Sequence, residues 1–252
     1  MRKTAFAAAI ACTVGAGIIC SGAHAADKVD LLLVLAADVS RSIDETEFDL
    51  QRKGYAAAIT DPRVLRAIVG GRNHGIAVTF IEWSGAADQN VVVDWTVVRD
   101  EEAAGSVAAT MLATPRSFLG RTSISAAIDF AMERFAAAPA ETDKRIIDLS
   151  GDGTNNAGRA LTEARDQAVA AGVTINGLAI INTQANPGYA FHTQPPGGLS
   201  KYYEENVIGG PGAFVLQVEN FGSFAEAITR KLLTEIATIP PRRQTAALPS
   251  VP

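Results

Sequence analysis

Three short polar segments of the chain carry side chains that could bind a hard metal ion. The segments are Asp38-Val39-Ser40-Arg41-Ser42, Gly120-Arg121-Thr122-Ser123 and Ser150-Gly151-Asp152-Gly153. Their oxygen donors are two carboxylates and three hydroxyls, carried by Asp38, Ser40, Ser42, Thr122 and Asp152. A set without nitrogen or sulfur ligands disfavours zinc and copper and suits Mg2+ or Mn2+. Because hydroxyls dominate, the ion would stay electrophilic and could take a carboxylate from another molecule as its final ligand.

The chain around these segments alternates between strand-like and helix-like patterns. Apolar runs that stop at polar residues are typical of parallel strands buried on both faces. Such runs cover Asp30–Ala36, Ile76–Ile81, Arg145–Leu149 and Val173–Ile181, and weaker candidates are Val91–Val98, at an edge, and Ala213–Val218. Between them, residues such as Ile124, Ile128 and Phe135 repeat at helical spacing. The alternation predicts an α/β fold, a doubly wound parallel sheet with helices on both faces.

Such a sheet would gather the polar segments at one edge. Ligands of open α/β sheets bind beyond the carboxyl ends of the strands, so neighbouring first and fourth strands would bring all three segments together. Each segment also has an ordinary structural explanation. Ser42 could cap a helix, Thr122 and Ser123 could be N-cap residues, and Asp152-Gly153 could form a turn. Their joint occurrence at converging strand ends favours the metal site.

The pattern of Asp38-x-Ser40-x-Ser42 with Thr122 and Asp152-Gly153 resembles the metal-ion-dependent adhesion site (MIDAS) of von Willebrand factor type A (VWA) domains. The resemblance spans roughly residues 29–235. Two stretches resemble sequences of an exported bacterial branch of that superfamily, whose members carry a domain of unknown function. These stretches are Glu82-Trp83-Ser84-Gly85 and Val207-Ile208-Gly209-Gly210-Pro211-Gly212-Ala213-Phe214.

The resemblance implies a VWA fold, in which a mostly parallel six-stranded sheet has one antiparallel edge strand. It also implies that Ser40 and Ser42 bind metal directly, whereas Asp38, Thr122 and Asp152 bind directly or through water. One departure concerns the Thr-Asp-Gly common in the superfamily, which here is Gly151-Asp152-Gly153. The carboxylate is kept and a neighbouring hydroxyl is lost.

We expect the site to bind an acidic group of a protein partner. Candidate partner-binding residues around it are Arg41, Glu82, Trp83, Arg121 and Asn155. Arg41 could select an acidic ligand or point into solvent, and Glu82 and Trp83 could equally serve packing. The stretch Asn182–Gly212, rich in proline and glycine, is predicted to be a long surface loop that sets specificity.

The first residues have the three parts of a secretory signal peptide. Arg2 and Lys3 are followed by the apolar run Ala5–Ile19 and by the small-x-small site Ala23-His24-Ala25. We predict cleavage after Ala25 and a periplasmic or secreted protein without a membrane span in its mature part. The signal would take Cys12 and Cys20 with it, leaving no thiol or disulfide. Residues 26–238 would form the VWA-like domain and residues 239–252 a disordered Pro-rich tail.

Composition and the remaining residues narrow the function. A chain of 252 residues, 48% hydrophobic with net charge −5, is neither mainly disordered nor a nucleic-acid-binding protein. His74 and His192, the histidines beyond the signal, do not suggest a Ser-His-Asp hydrolase. Asp148 interrupts an apolar strand, so we expect it at an edge or near a helix end, with a buried functional role as the alternative. We predict a non-enzymatic module. The alternatives are a Mg-dependent phosphohydrolase with Asp38 as nucleophile and an assembly subunit with a vestigial metal site.

Overall fold

The computed structural model describes residues 27–181, 187–219 and 221–237. The predicted signal peptide with Cys12 and Cys20, the predicted tail and residues 182–186 of the predicted loop lie outside the described residues. Within the described ranges, no helix has the length and apolar content needed to cross a lipid bilayer.

Eight strands and eight α-helices make up the described fold. The strands are β1 (Asp27–Lys28), β2 (Leu32–Asp38), β3 (Ile76–Trp83), β4 (Gln89–Val98), β5 (Ala140–Glu141), β6 (Arg145–Gly151), β7 (Val173–Ile180) and β8 (Val215–Val218). The helices are α1 (Glu45–Ile59), α2 (Pro62–Val69), α3 (Glu101–Ala113), α4 (Ile124–Ala136), α5 (Leu161–Ala170), α6 (Ala190–Thr193), α7 (Leu199–Asn206) and α8 (Phe224–Ala237). Short 3-10 helices cover Pro187–Tyr189 and Phe221–Ser223.

The main sheet confirms the predicted architecture. Its strand order is β4-β3-β2-β6-β7-β8, and only the pairing of β3 with β4, at one edge, is antiparallel. β2 lies at its centre with every residue buried, because its apolar side chains alternate between the two hydrophobic layers on either face. β2 and β6 are direct parallel neighbours, so their carboxyl ends lie side by side. A separate two-stranded pair joins β1 to β5.

The helix starts follow recognisable capping signals. Asp44, not Ser42, is the N-cap of α1, where its side chain and that of Glu47 form a capping box. Ser123, not Thr122, caps α4 through the backbone N–H of Ala126. The capping explanation is therefore wrong for Ser42 and Thr122, and both hydroxyls stay available for another role.

The expected long surface loop from Asn182 to Gly212 is partly wrong. Its second half contains α7, in which Leu199 and Tyr203 are fully buried. Prolines and glycines flank α7, and those residues indicated a loop. The spacing of these two side chains by four residues nevertheless places them on one face of a helix, which packs against β7 and β8.

Candidate metal centre

A network of backbone contacts holds the loop that follows β2. Asp38 is the last residue of this strand, and its Oδ1 accepts a hydrogen bond of 2.7 Å from the backbone N–H of Ser40. The guanidinium of Arg116 donates to the carbonyl oxygens of Val39, Ser40 and Ile43 over 2.8–2.9 Å. One side chain thereby fixes three points of the loop that carries Ser40 and Ser42. Nothing in the local sequence of Arg116 indicated this role.

The loop before α4 is fixed by the segment that follows β6. The backbone N–H of Thr122 donates to Asn156 Oδ1 over 3.0 Å, and the backbone N–H of Asn156 donates to the Thr122 carbonyl over 2.8 Å. These reciprocal bonds place the Thr122 hydroxyl beside the end of β6. Thr122 is therefore positioned by a residue 34 places along the chain, which no local pattern could reveal.

The structure brings the five predicted oxygen donors together. Ser42 donates through its hydroxyl to Asp152 Oδ1 over 2.7 Å. The hydroxyl oxygens of Ser40 and Ser42 lie 3.2 Å apart, and that of Thr122 lies 3.3 Å from the Ser40 hydroxyl. All five residues, including Asp38, are at most 7% exposed. The arrangement is a compact cluster of two carboxylates and three hydroxyls at the carboxyl edge of the sheet.

No cation of the described residues forms an ion pair with this cluster, and the nearby charge of Arg116 offsets only part of its negative charge. Asp38 Oδ2 and Asp152 Oδ2 are buried and have no hydrogen-bond partner there. Burial and the nearby charge of Asp152 raise the pKa of Asp38 well above its usual value, and burial raises the pKa of Asp152 to about 7. Buried carboxylates are normally paired or bound to metal. The donor set therefore fits a hard divalent cation.

Hydroxyl groups are needed for any such ion to be bound. The residues that the structure describes contain no group of three or more His, Cys, Asp or Glu side chains that could hold a metal. A cation at this edge would have Asp38 and Asp152 as its two carboxylate partners, with Ser40, Ser42 and Thr122 supplying the remaining protein oxygens. This set is chemically compatible with Mg2+, which accepts oxygen ligands and retains water.

The predicted partner-binding residues divide into exposed and buried ones. Arg41 and Arg121 are exposed beside the cluster. Glu82 and Trp83 are fully buried in β3, and Glu82 pairs with Arg52 at 2.6 Å, so their predicted position on the binding rim is wrong. The strand runs two residues further than the apolar pattern indicated and carries both side chains inside. Asn155 is half-buried and its amide oxygen accepts from the backbone N–H of Ser125 over 3.0 Å.

Tyr203 is a neighbour of the site that sequence reasoning missed. Its hydroxyl is buried and has no hydrogen-bond partner among the described residues. It lies against Gly151, the position where the sequence departs from Thr-Asp-Gly. A Cβ atom placed on Gly151 would lie 2.7 Å from the Tyr203 hydroxyl and 3.0 Å from Asp38 Oδ2. Tyr203 thus occupies space that a side chain at position 151 would need.

We expect Gly151→Thr to lower the free energy of unfolding by about 1–3 kcal/mol, the usual cost of overpacking. This exceeds the advantage of up to about 1 kcal/mol that threonine has in a strand. Chemical denaturation in EDTA measures the loss. Adding Tyr203→Phe should recover part of it, because the nearest clashing atom is removed. Gly105→Ala is the control, since a Cβ there meets nothing within 4 Å. A Gly151→Thr protein as stable as the wild type would contradict the steric argument.

The fold and this edge define the class of protein. A mostly parallel six-stranded α/β sheet with one antiparallel edge pair, and helices on both faces, is the fold of von Willebrand factor type A domains. The chain belongs to the family described as "Protein of unknown function (DUF1194)", whose model matches residues 28–240. The VWA resemblance of the sequence is thereby confirmed. No curated protein matches the chain.

Solved structures share the fold at low sequence identity. Proximal thread matrix protein 1 (PTMP1) from the mussel byssus, in a form with a zinc-occupied MIDAS motif, matches with a TM-score of 0.56 and 21% identity, over 83% of this chain and 48% of that chain. A von Willebrand factor type A protein from Catenulispora acidiphila matches with a TM-score of 0.56 and 14% identity, over 82% of this chain and 43% of that chain. The conserved hypothetical protein BatB from Bacteroides thetaiotaomicron matches with a TM-score of 0.51 and 18% identity, over 82% of this chain and 99% of that chain. The chain spans about half the length of PTMP1, and the likeness shows the fold alone.

Proposed function

We propose that the protein is an exported binding module in which Asp38, Ser40, Ser42, Thr122 and Asp152 hold a divalent cation, Mg2+ or Mn2+. The bound cation takes a carboxylate of a protein partner as its remaining ligand. The observation that carries this proposal is the pair of buried, unpartnered carboxylate oxygens beside three hydroxyls. The zinc-occupied MIDAS motif of PTMP1, a protein with a similar fold, supports a divalent cation as the bound ion. Export rests on the signal-like sequence of residues 1–25.

The composition of the cluster favours binding over catalysis. Two carboxylates balance the formal charge of a divalent cation and three neutral hydroxyls add none, so a coordination position left to water could take an external carboxylate. A haloacid-dehalogenase-like phosphohydrolase has a second acid two residues after its nucleophile, and Ser40 occupies that position here. Ser40 instead takes part in the hydroxyl cluster with Ser42 and Thr122. We therefore propose a non-enzymatic role for the module.

Calorimetric titration with Mg2+, Mn2+ and Zn2+ tests the metal part of the proposal. We expect the wild type to bind Mg2+ or Mn2+ and Asp152→Ala to lose at least about tenfold in affinity, since even outer-shell changes at metal sites cost about 10–100-fold. Asp129→Ala is the matched control, because Asp129 is a surface acid paired with Arg159 at 2.6 Å. Equal affinity of Asp152→Ala and the wild type would refute the assignment.

Partner capture tests the adhesive part of the proposal. Immobilised wild-type protein should retain a partner from the native envelope fraction in Mg2+ and release it in EDTA. Asp38→Ala, with its fold verified by circular dichroism, should retain none. Capture that persists in excess chelator would contradict the metal-dependent mechanism. Turnover of a generic phosphate ester by pure protein, lost in Asp38→Asn, would favour the phosphohydrolase instead.

A further inference from the structure

A positively charged pocket lies directly beside the proposed metal ligands. It has a volume of about 270 Å³ and is lined by Arg41, Arg121, Thr122, Asn156, Tyr189 and His192. Thr122 belongs both to this pocket and to the oxygen cluster, so the two features share a wall. Arg41 stands between Ser40 and Ser42 in the sequence, and Arg121 directly precedes Thr122. Both arginines therefore sit on the same loops as the proposed ligands.

Each arginine is tethered to the backbone at one side of its guanidinium group. Arg41 Nε donates to the carbonyl oxygen of Gly120 over 3.4 Å. Arg121 Nη2 donates to the carbonyl oxygen of Asn156, the residue that also fixes Thr122. A guanidinium has five N–H donors, so both groups retain donors for an external acceptor. The tethers hold the arginines at the pocket without using up their hydrogen-bonding capacity.

The charge of the two arginines is not neutralised within the described chain. Neither has a carboxylate oxygen within 4 Å among the described residues, whereas Arg116 pairs with Glu45 at 3.2 Å. The acidic side chains of the adjacent loops are already engaged. Asp44 caps α1, and Asp88 accepts from Ser84 and from the backbone N–H of Gly85.

The histidine of the pocket does not add to this charge at neutral pH. His192 packs against Gly153, and burial together with the charge of Arg121 lowers its pKa below the usual value. The positive potential of the pocket therefore comes from Arg41 and Arg121.

We propose that the ligand of this site carries two carboxylates close together, of which one binds the cation and the other enters the pocket between Arg41 and Arg121. This inference rests on the proposed function and specifies its ligand class as a peptide with adjacent acidic groups. Guanidinium groups recognise carboxylates through paired, charge-assisted hydrogen bonds. The pocket is smaller than the about 300–1,000 Å³ typical of sites for drug-sized ligands, which suits a single acidic side chain.

Three short peptides test the inference by calorimetry in excess Mg2+. Ac-Gly-Asp-Asp-Gly-NH2 offers two neighbouring side-chain carboxylates, and Ac-Gly-Asp-Asn-Gly-NH2 offers one in the same frame. Ac-Gly-Gly-Asp-OH offers a side-chain and a terminal carboxylate on one residue. We expect the wild type to prefer at least one of the two dicarboxylate peptides over the monocarboxylate by about tenfold, a typical effect of one charge-assisted contact. The preferred peptide identifies an internal acidic pair or an acidic C-terminus as the source.

The double variant Arg41→Ala/Arg121→Ala separates the pocket from the metal site. It should bind all three peptides with the affinity that the wild type has for the monocarboxylate peptide. Its Mg2+ affinity should stay within about twofold of the wild type. Arg72→Ala, at an exposed arginine that lines a different pocket, should retain the preference. Equal binding of all peptides by the wild type, or a preference that survives in the double variant, would overturn the inference while Mg2+ binding stands. Absence of Mg2+ binding in the wild type without peptide would overturn the proposed function and the inference together.

Discussion

Replacing Asp152 by asparagine is expected to abolish the stabilisation of the protein by Mg2+ and, in EDTA, to make the protein more stable than the wild type. The reason is the cost of holding this carboxylate in a buried position without a cation. Burial raises the pKa of Asp152 to about 7, against 3.8 for an ordinary aspartate. An asparagine at this position carries no charge at any pH, and its amide oxygen can still accept the hydrogen bond from Ser42.

The sign of the pH dependence follows from the direction of this shift. A carboxyl group whose pKa is higher in the folded state binds its proton more tightly there, so the folded state loses stability as the pH rises from about 4 to about 7. A shift of this size corresponds to at most about 4 kcal/mol at pH 8. The metal-free wild type should therefore unfold at a lower temperature than Asp152→Asn at pH 8, and the gap should shrink at pH 5. Mg2+ should close it by stabilising only the wild type.

Thermal unfolding at pH 5 and pH 8, with EDTA and with Mg2+, checks these expectations. Asp129→Asn is the control, because Asp129 is partly exposed and pairs with a surface arginine. It should respond to Mg2+ like the wild type. A metal-free wild type that matches Asp152→Asn at pH 8 would show that the buried cluster does not carry an unbalanced charge.

The sequence predicts the sheet and the site segments because both depend on local pattern. A strand buried on both faces, such as β2, must be apolar throughout, and its end at Asp38 is where polar atoms first reach the sheet edge. The carboxyl ends of β2 and β6 lie side by side because the two strands are neighbours and run in the same direction. The residues that follow these ends therefore meet and form the oxygen cluster. The residue at which a strand ends is harder to predict from the apolar pattern. β3 continues to Trp83, so Glu82 lies in the interior.

Features that depend on partners distant in the chain could not be predicted. Arg116 fixes the loop after β2 from more than 70 residues away, and Tyr203 fills the space beside Gly151 from 52 residues away. Helix α3 shows no clear helical pattern in the sequence, because alanines and a glycine obscure its apolar face. The start of α2 does carry a local signal, because Asp61-Pro62 supplies an N-cap residue and a proline in the first helical turn.

Asp148 shows the same limit most clearly. Its expected place at an edge or near a helix end is wrong, because it lies fully buried in the central part of β6. Its charge is met by Lys231 of α8, whose Nζ lies 2.7 Å from Asp148 Oδ1 and 2.9 Å from Glu235 Oε1. All three side chains are fully enclosed. One buried cation therefore pairs with two buried carboxylates and joins the last helix to the strand that ends at the proposed metal site.

Replacing Lys231 by methionine should accordingly lower the free energy of unfolding by about 3–5 kcal/mol, the cost of removing the cation of a buried ion pair. Methionine preserves much of the volume of the lysine stem, so the loss reports the charge. The triple variant Lys231→Met/Asp148→Asn/Glu235→Gln should recover most of it, because all three charges of this cluster are then removed. Arg230→Met, on the exposed face of the same helix with a side chain 73% exposed, should cost less than about 0.5 kcal/mol. Urea denaturation of the four proteins makes the comparison.

The pH dependence of this loss distinguishes unpaired charge from poor packing. Burial and the charge of Asp148 raise the pKa of Glu235 to about 7, while Lys231 acts to lower it. Removing Lys231 should raise that pKa further, so protonation of Glu235 at pH 5 relieves repulsion that is fully present at pH 8. The deficit of Lys231→Met should therefore be larger at pH 8 than at pH 5. A deficit that is equal at both pH values, and that the triple variant does not reduce, would identify lost packing of the lysine stem as the cause.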